Sequence, residues 1–174
     1  MSLIHLSFEM VEKEIRKYSF GVLGTVDIGG RSHSVGLIYA ISDLSSPFRI
    51  YAMTQLKTKK IKNIEANPNV SFVVPCFRMF FGMVPPNCIQ FQGTAEILAI
   101  DDKSANEAFK SSYLLRMMLD KVNDVDLTKL GKPCFISIKP DPIIHAYGVG
   151  LSNWQLYKHV EDAGSKVKVP YNRI

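Results

Sequence analysis

The sequence lacks several features that mark large classes of proteins. Its three cysteines, Cys76, Cys88 and Cys134, are odd in number, far apart and never spaced as a CxxC pair. Neither a disulfide framework nor a metal site is therefore expected, and Cys88 is expected to be structural because nothing nearby marks it as a thiolate. Glycine-rich phosphate cradles of the P-loop or dinucleotide type are also absent, which excludes the commonest nucleotide-binding motifs.

Long uninterrupted apolar runs are missing too. The most apolar region, residues 72–91, contains Arg78 and three prolines, so it cannot span a bilayer as one helix. The N-terminal segment carries His5, Glu9 and Glu12 and lacks the basic and apolar regions of a signal peptide. We therefore expect a cytoplasmic protein with no membrane contact.

The composition is that of a folded protein, with 47% hydrophobic and 21% charged residues. A chain of 174 residues fits a single domain, 1–174, with a core at about 18–150 and a tail at 151–174. The net charge of +5 is spread along the chain except for one tight cluster of four lysines, at positions 57, 59, 60 and 62. One cluster favours a local anionic ligand, and no nucleic-acid partner is expected.

The segment from Thr58 to Phe72 is the most informative. It begins with a hydroxyl and two cations where a helix should start, and it runs through Asn67-Pro68 into a strand. A helix N-terminus carries unpaired N–H groups and the positive end of the helix dipole, so it is a natural anion site. Ile61 and Ile64 are equally typical of an ordinary amphipathic helix with solvated lysines, and this alternative stays open.

The rest of the chain alternates strands with a few helices. Residues 7–18 predict a helix with Ser7 as N-cap, and Asp101-Asp102 predicts the start of a helical stretch that ends near Lys121. Strands are predicted at 21–26, 32–42, 48–54, 70–75, 88–100, 135–139 and 143–149. Hairpin spacing favours a mainly β fold with peripheral helices (α+β), built as a small antiparallel barrel.

The order of the motifs is specific. A strand leads into the Asp27–Gly30 turn and then Arg31–Val35; Tyr51–Thr54, Thr58–Lys60 and Asn67–Val70 follow. This order resembles the pyridoxamine 5′-phosphate oxidase-like, FMN-binding split-barrel family over roughly residues 18–100. The resemblance implies a six-stranded antiparallel split β-barrel and a homodimer with two flavin sites at the subunit interface.

The same resemblance assigns the cofactor site. The hydroxyl and cations at 58–60 match the family's Ser/Thr-Arg/Lys-Lys signature for the FMN phosphate, and the second strand would meet the flavin ring and ribityl chain, largely through its main chain. The assigned residues are His33, Ser34, Val35, Gly36, Met53, Thr54, Thr58, Lys59 and Lys60. No acid, base or nucleophile is assigned.

Two departures from the family argue against vitamin B6 oxidation. Val35 and Ala40 stand where the true oxidases carry an Arg and a Lys, and Ile144–Gly148 does not reproduce their C-terminal Arg/His motif. We expect instead an FMN-dependent oxidoreductase of a related kind, with a small-molecule substrate. Its electrons would come from a reduced nicotinamide or from the substrate itself.

Other ligands stay open. A deazaflavin cofactor would occupy the same phosphate-binding site, and the barrel could equally be a non-catalytic flavin- or anion-binding module. Haem-handling relatives use a ligand histidine in a C-terminal extension, for which His145 and His159 are the only candidates beyond residue 100.

For a few residues and one loop, two alternative roles are consistent with the sequence. Trp154 would cover the partner's flavin or anchor the dimer, and Gln90 and Gln92 would reach the partner's flavin or face water. The long apolar loop at 76–87, with Phe77 and Met83, would be buried in the dimer or form a lid over the flavin.

Overall fold

A computed structural model describes residues 6–76, 86–122 and 129–173. The helices are α1 (Phe8–Ile15), α2 (Lys59–Ala66), α3 (Lys103–Lys110), α4 (Tyr113–Lys121) and α5 (Asn153–Lys158). The strands are β1 (Phe20–Val26), β2 (Ser32–Ile41), β3 (Ile50–Gln55), β4 (Asn69–Cys76), β5 (Asn87–Ala99), β6 (Pro133–Pro140), β7 (Ile143–Tyr147) and β8 (Gly164–Lys168). The predicted apolar lid, residues 77–85, lies outside the described residues.

Six strands close into an antiparallel barrel in the order β1-β2-β3-β6-β5-β4. Closure depends on β4, which pairs with β1 at Val22↔Val73 and with β5 at Phe72↔Phe91. β7 extends the sheet from the other edge of β5, and β8 pairs with β7. The predicted six-stranded split barrel with peripheral helices is confirmed, and β7 and β8 are additions to it.

The barrel interior is the main hydrophobic core. Alternating residues of the strands point inward, so that Leu23, Phe72, Phe91 and Ile136 are at most 1% exposed. Tyr39 is also completely buried, and its hydroxyl donates a hydrogen bond of 2.8 Å to the carbonyl of Ile15. This bond satisfies the polar end of a ring that otherwise packs edge-on against Phe72.

The outer face of β2, β3 and β6 is covered by α3 and α4, which pack on Ala40, Tyr51 and Phe135. The sequence predicted one helical stretch here, and the structure divides it into two helices. The Ser111 hydroxyl donates to the carbonyl of Ala108 at 2.7 Å, and such bonds compete with a continuing helix. The predicted cap at Asp102 is confirmed, since its carboxylate accepts from the Ala105 N–H at 2.9 Å.

The β1–β2 turn has the predicted glycine conformation at Gly30, where φ is +79°. The predicted strand 48–54 begins two residues later than expected, because the Phe48 N–H donates to the carbonyl of Arg173 and not to a neighbouring strand. No helix among the described residues is long and apolar enough to cross a membrane.

Candidate cofactor site

The barrel is split between β2 and β3. Within the described ladders these strands share three pairs, from Ile41↔Ile50 to Tyr39↔Ala52. Beyond them, residues 32–38 pair with β1 and residues 53–55 pair with β6. The inner edges of β2 and β3 therefore open into a slot, and strand edges offer main-chain N–H and C=O groups to a ligand.

One side of the slot holds the first four assigned residues. Ser34 and Gly36 are exposed, while His33 and Val35 are half-buried in the alternating pattern of the strand. Val35 packs against the main core. The His33 Nδ1 is buried and has no hydrogen-bond partner among the described residues.

The other side of the slot holds Met53 and Thr54, which point to opposite faces of β3. Met53 packs against the α3–α4 cluster outside the barrel, so its side chain lies away from the interior. Thr54 shares its face with Ile50 and Ala52, both in the main core, and is 3% exposed. The structure thus brings the Thr54 side chain, and only the main chain of Met53, towards the inner end of the slot.

Helix α2 begins directly after this strand. Its N-cap, Thr58, has an extended backbone with φ −115° and ψ 156°, yet its side chain makes no capping bond. The Thr58 hydroxyl donates instead to the carbonyl of Gln55 at 3.0 Å. The N–H groups of the first turn therefore have no capping side chain of the helix as acceptor. The first turn also lacks an acidic residue, so the helix supplies no negative charge to balance the positive end of its dipole.

Lys60 points inward from this first turn. Its ammonium group donates to Thr54 Oγ1 at 2.9 Å, and the residue is only 9% exposed. Desolvation lowers the pKa of Lys60 from its usual value. Burial also raises the pKa of the nearby Cys134 thiol to about 11, with Lys60 opposing the rise.

Lys59 points outward, with a side chain that is 55% exposed. Its ammonium group lies 3.7 Å from Asp27 Oδ2 in the β1–β2 turn. One turn further along α2, the buried Asn63 side chain donates to Thr25 Oγ1 at 2.9 Å. Thr25 in turn donates to the carbonyl of His33 at 3.3 Å, so the helix start, β1 and β2 are held together.

Sequence reasoning did not assign Asp27, Asn63 or Cys134 to the site. Asp27 was visible only as a turn residue, and a buried asparagine in a helix resembles any polar residue there. Their contacts join positions as far apart as 25 and 63, which no local pattern shows.

A second concave surface lies on β5, β7 and β8, with a cavity of about 280 Å³. Gln90 pairs with His145 across it, and both are exposed; Cys88 at its edge is half-buried. Burial raises the pKa of the Cys88 thiol, which agrees with a structural role. Gln92 is also exposed, so both glutamines face outward from the barrel.

The C-terminal segment carries two further groups. Trp154 on α5 is 65% exposed, stacks on Tyr157 with ring centroids 6.0 Å apart, and has the Lys158 ammonium 4.8 Å above its ring. His159, Glu161 and Asp162 bring three potential metal-ligand atoms within 4.8 Å of one another, a grouping that the sequence reasoning did not single out.

Comparison with known proteins identifies the fold. The family profile described as pyridoxamine 5′-phosphate oxidase matches residues 8–141. No curated protein sequence matches the chain significantly.

Three solved structures illustrate the likeness. HutZ, the haem storage protein from Vibrio cholerae, is 15% identical with a TM-score of 0.63, over 83% of this chain and 98% of that chain. A FAD-binding protein from Mesorhizobium loti is 23% identical with a TM-score of 0.58, over 81% and 94%. A putative pyridoxamine 5′-phosphate oxidase from Listeria innocua is 18% identical with a TM-score of 0.54, over 78% and 94%. At these identities the likeness concerns the fold.

Proposed function

Because the chain belongs to the pyridoxamine 5′-phosphate oxidase family, we propose that it is a flavoprotein that binds FMN in the slot between β2 and β3 and acts as an oxidoreductase. The observation that carries the proposal is the start of α2. There an N-cap hydroxyl, two lysines and N–H groups without a side-chain cap all belong to the first turn of one helix, where a helix end favours an anion. The FAD-binding neighbour from Mesorhizobium loti supports a flavin on this fold.

Different parts of the site would bind different parts of the cofactor. Thr58, Lys59 and the first N–H groups of α2 would hold the phosphate. Lys60 would add its positive charge from the side of the helix that faces the barrel. The exposed edge at Ser34 and Gly36 would meet the ribityl chain and the polar rim of the ring through its main chain. When bound, the flavin would supply the redox chemistry, and the protein would orient it and exclude water.

Vitamin B6 oxidation is not part of the proposal. Ala40, where a true oxidase carries a cation, is 3% exposed and packed against the helices outside the barrel. The C-terminal segment in question lies largely in β7 (Ile143–Tyr147), where His145 is the only ionisable side chain besides the tyrosine. We propose a small-molecule substrate of another class, with a reduced nicotinamide or the substrate as electron donor.

The proposed assembly is a homodimer with a flavin site at each side of the interface. The outward-facing Gln90 and Gln92 and the exposed Trp154 are the groups that a partner subunit or its flavin would cover. A buried interface would remove these side chains from water, as expected for aromatic anchors at such surfaces.

Haem is the ligand that the neighbour HutZ raises as a second candidate. The exposed imidazole of His145, on the rim of the β5–β7–β8 cavity, is the group that favours it here. A deazaflavin, or a flavin bound without turnover, are the remaining alternatives.

An absorption spectrum of the purified protein, before and after addition of FMN, tests the proposal, with the bound ligand released and identified by mass. FMN at about one per chain, followed by oxidation of reduced nicotinamide with added acceptors, is the expected result. A deazaflavin or haem spectrum would contradict the FMN assignment, and FMN binding without turnover of any donor would contradict the enzyme assignment.

A further inference from the structure

The carboxylate of Asp27 forms an ion pair with the start of α2, and it comes from a different part of the chain, the β1–β2 turn. Its Oδ2 lies 3.7 Å from the Lys59 ammonium group. The helix itself has no acidic residue in its first turn. Asp27 therefore occupies the electrostatic role that a bound phosphate would have at this helix end.

This carboxylate is held in place by its own turn. Asp27 Oδ1 accepts hydrogen bonds from the N–H groups of Gly29 and Arg31, both at 3.0 Å. The turn is closed by main-chain bonds from Asp27 N–H to the carbonyl of Arg31 and from Gly30 N–H to the carbonyl of Asp27. The hydrogen bonds from the Arg31 and Gly29 N–H groups, together with the charge of Lys59, lower the pKa of Asp27, so the carboxyl group stays ionised at neutral pH.

The turn and the helix are also fixed relative to each other. Thr25 and Asn63 form a buried hydrogen bond of 2.9 Å, two residues before Asp27 on the strand and four residues after Lys59 on the helix. The two contacts are successive links between β1 and α2. The inner link thus fixes the end of β1, just before Asp27, against α2.

We propose that Asp27 sets the affinity of the phosphate site, as a built-in anion that holds Lys59 until a ligand phosphate takes its place. The inference rests on the proposed FMN site and goes further by naming a residue that opposes binding. A phosphate at the start of α2 must compete with Asp27 for Lys59 and lies in the repulsive field of the carboxylate. Ligands without a phosphate do not meet this competition.

Asp27→Asn is the direct test, because the Asn side-chain oxygen can still accept the two N–H bonds that shape the turn. We expect FMN to bind about fivefold more tightly to Asp27→Asn than to the wild type, as removal of one partly exposed charge near a phosphate implies. Riboflavin affinity should be unchanged. The gain should shrink in high salt, since an exposed charge is screened.

Lys59→Met in both backgrounds locates the effect. If Asp27 acts through Lys59, the increase in FMN affinity caused by Asp27→Asn should be much smaller in the Lys59→Met background than in the wild-type background. Equal FMN affinity of Asp27→Asn and wild type would overturn the inference while leaving the FMN site in place. Absence of FMN binding to the wild type would overturn the proposed function, and with it this inference, so the two failures are distinguishable.

Discussion

Lys60 and Thr54 are joined by a hydrogen bond of 2.9 Å in which the ammonium group donates to Thr54 Oγ1. The bond links Thr54, near the end of β3, to the first turn of α2. It places a cation at the edge of the barrel interior. A lysine so little exposed needs acceptors, and Thr54 is the one that the described structure provides.

Thr54→Val should therefore destabilise the protein although it barely changes the volume of the side chain. The ammonium group loses its acceptor in a buried position, which costs about 1–3 kcal/mol of the free energy of unfolding. Urea unfolding of Thr54→Val beside Thr54→Ser, which keeps the hydroxyl, measures the cost. Equal midpoints for the two variants would show that the bond contributes nothing.

The stability of the protein should depend on Lys60 at high pH. Because burial lowers the pKa of Lys60, the folded state binds fewer protons than the unfolded state between the lowered pKa and the usual value of 10.5. The cost of the buried charge is complete below this window and is relieved as the pH rises through it.

The wild type should thus gain stability relative to Lys60→Met as the pH approaches 10.5. Thermal unfolding of both proteins over a pH series provides the comparison. Lys62→Met, at an exposed position of the same helix, is the matched control and should show no such trend. A constant difference between wild type and Lys60→Met would contradict the prediction.

The phosphate should contribute a substantial part of the affinity for FMN. We expect the wild type to bind FMN about 100-fold more tightly than riboflavin, or about 2.7 kcal/mol, because charge-assisted hydrogen bonds to a phosphate are strong. The double variant Lys59→Ala/Lys60→Ala should lose this preference while its circular dichroism spectrum stays that of a folded barrel. Lys62→Ala should keep it.

Fluorescence titration with both ligands distinguishes the cases. Unchanged FMN affinity in the double variant would refute the phosphate assignment at the start of α2. Loss of FMN and riboflavin affinity to the same extent would point to a damaged ring site.

The cysteines should differ in reactivity in the native protein. With the pKa of Cys134 raised to about 11, only about 0.1% of this thiol is ionised at pH 8. Cys76 and Cys134 are also buried, whereas Cys88 is half-buried. Alkylation followed by mass spectrometry should find Cys88 modified first and slowly, and all three modified in denaturant. Rapid native labelling of Cys134 would contradict this order.

The end of the described chain should be important for stability. The Arg173 guanidinium donates to Glu12 Oε1 at 2.8 Å and to the carbonyls of Asp43 and Leu44, and Glu12 is 5% exposed. Arg173→Ala removes these hydrogen bonds, while Arg16 still donates to Glu12 Oε1 at 2.6 Å, so the loss should be about 1–3 kcal/mol of the free energy of unfolding. Lys168→Ala, at an exposed site of β8, should change stability by less than about 0.5 kcal/mol. Similar urea midpoints for the two variants would be inconsistent with the contacts.

Much of the fold could be read from local patterns. Local patterns placed β1, β4, β5 and β6 to within two residues, and in β4 and β5 buried and more exposed side chains alternate with the period of two expected of a strand. The capping roles of Ser7 and Asp102 were equally local. The prediction failed where contacts between distant segments determine the secondary structure. Phe48 is hydrogen-bonded to Arg173 and not to a strand, and the segment after Ser152 forms α5 and β8, of which β8 pairs with β7.

The candidate site shows the same division. Thr58, Lys59 and Lys60 form a helix start that the sequence displays directly, and Thr54 ends a predicted strand. The assignment of Met53 was less informative, because its side chain faces the helices outside the barrel while only its main chain borders the slot.

The sequence by itself determined most strand positions along the chain, the basic helix start and the absence of other nucleotide motifs, since these depend on residues close together in the chain. Only the tertiary structure decided where the two lysines point. Lys60 turns inward to Thr54 and Lys59 turns outward to Asp27, although they are neighbours with the same charge. The physical reason is the helix geometry: consecutive residues differ by about 100° around the axis, so the packing of α2 on the barrel sends one cation into the core and the other to the surface.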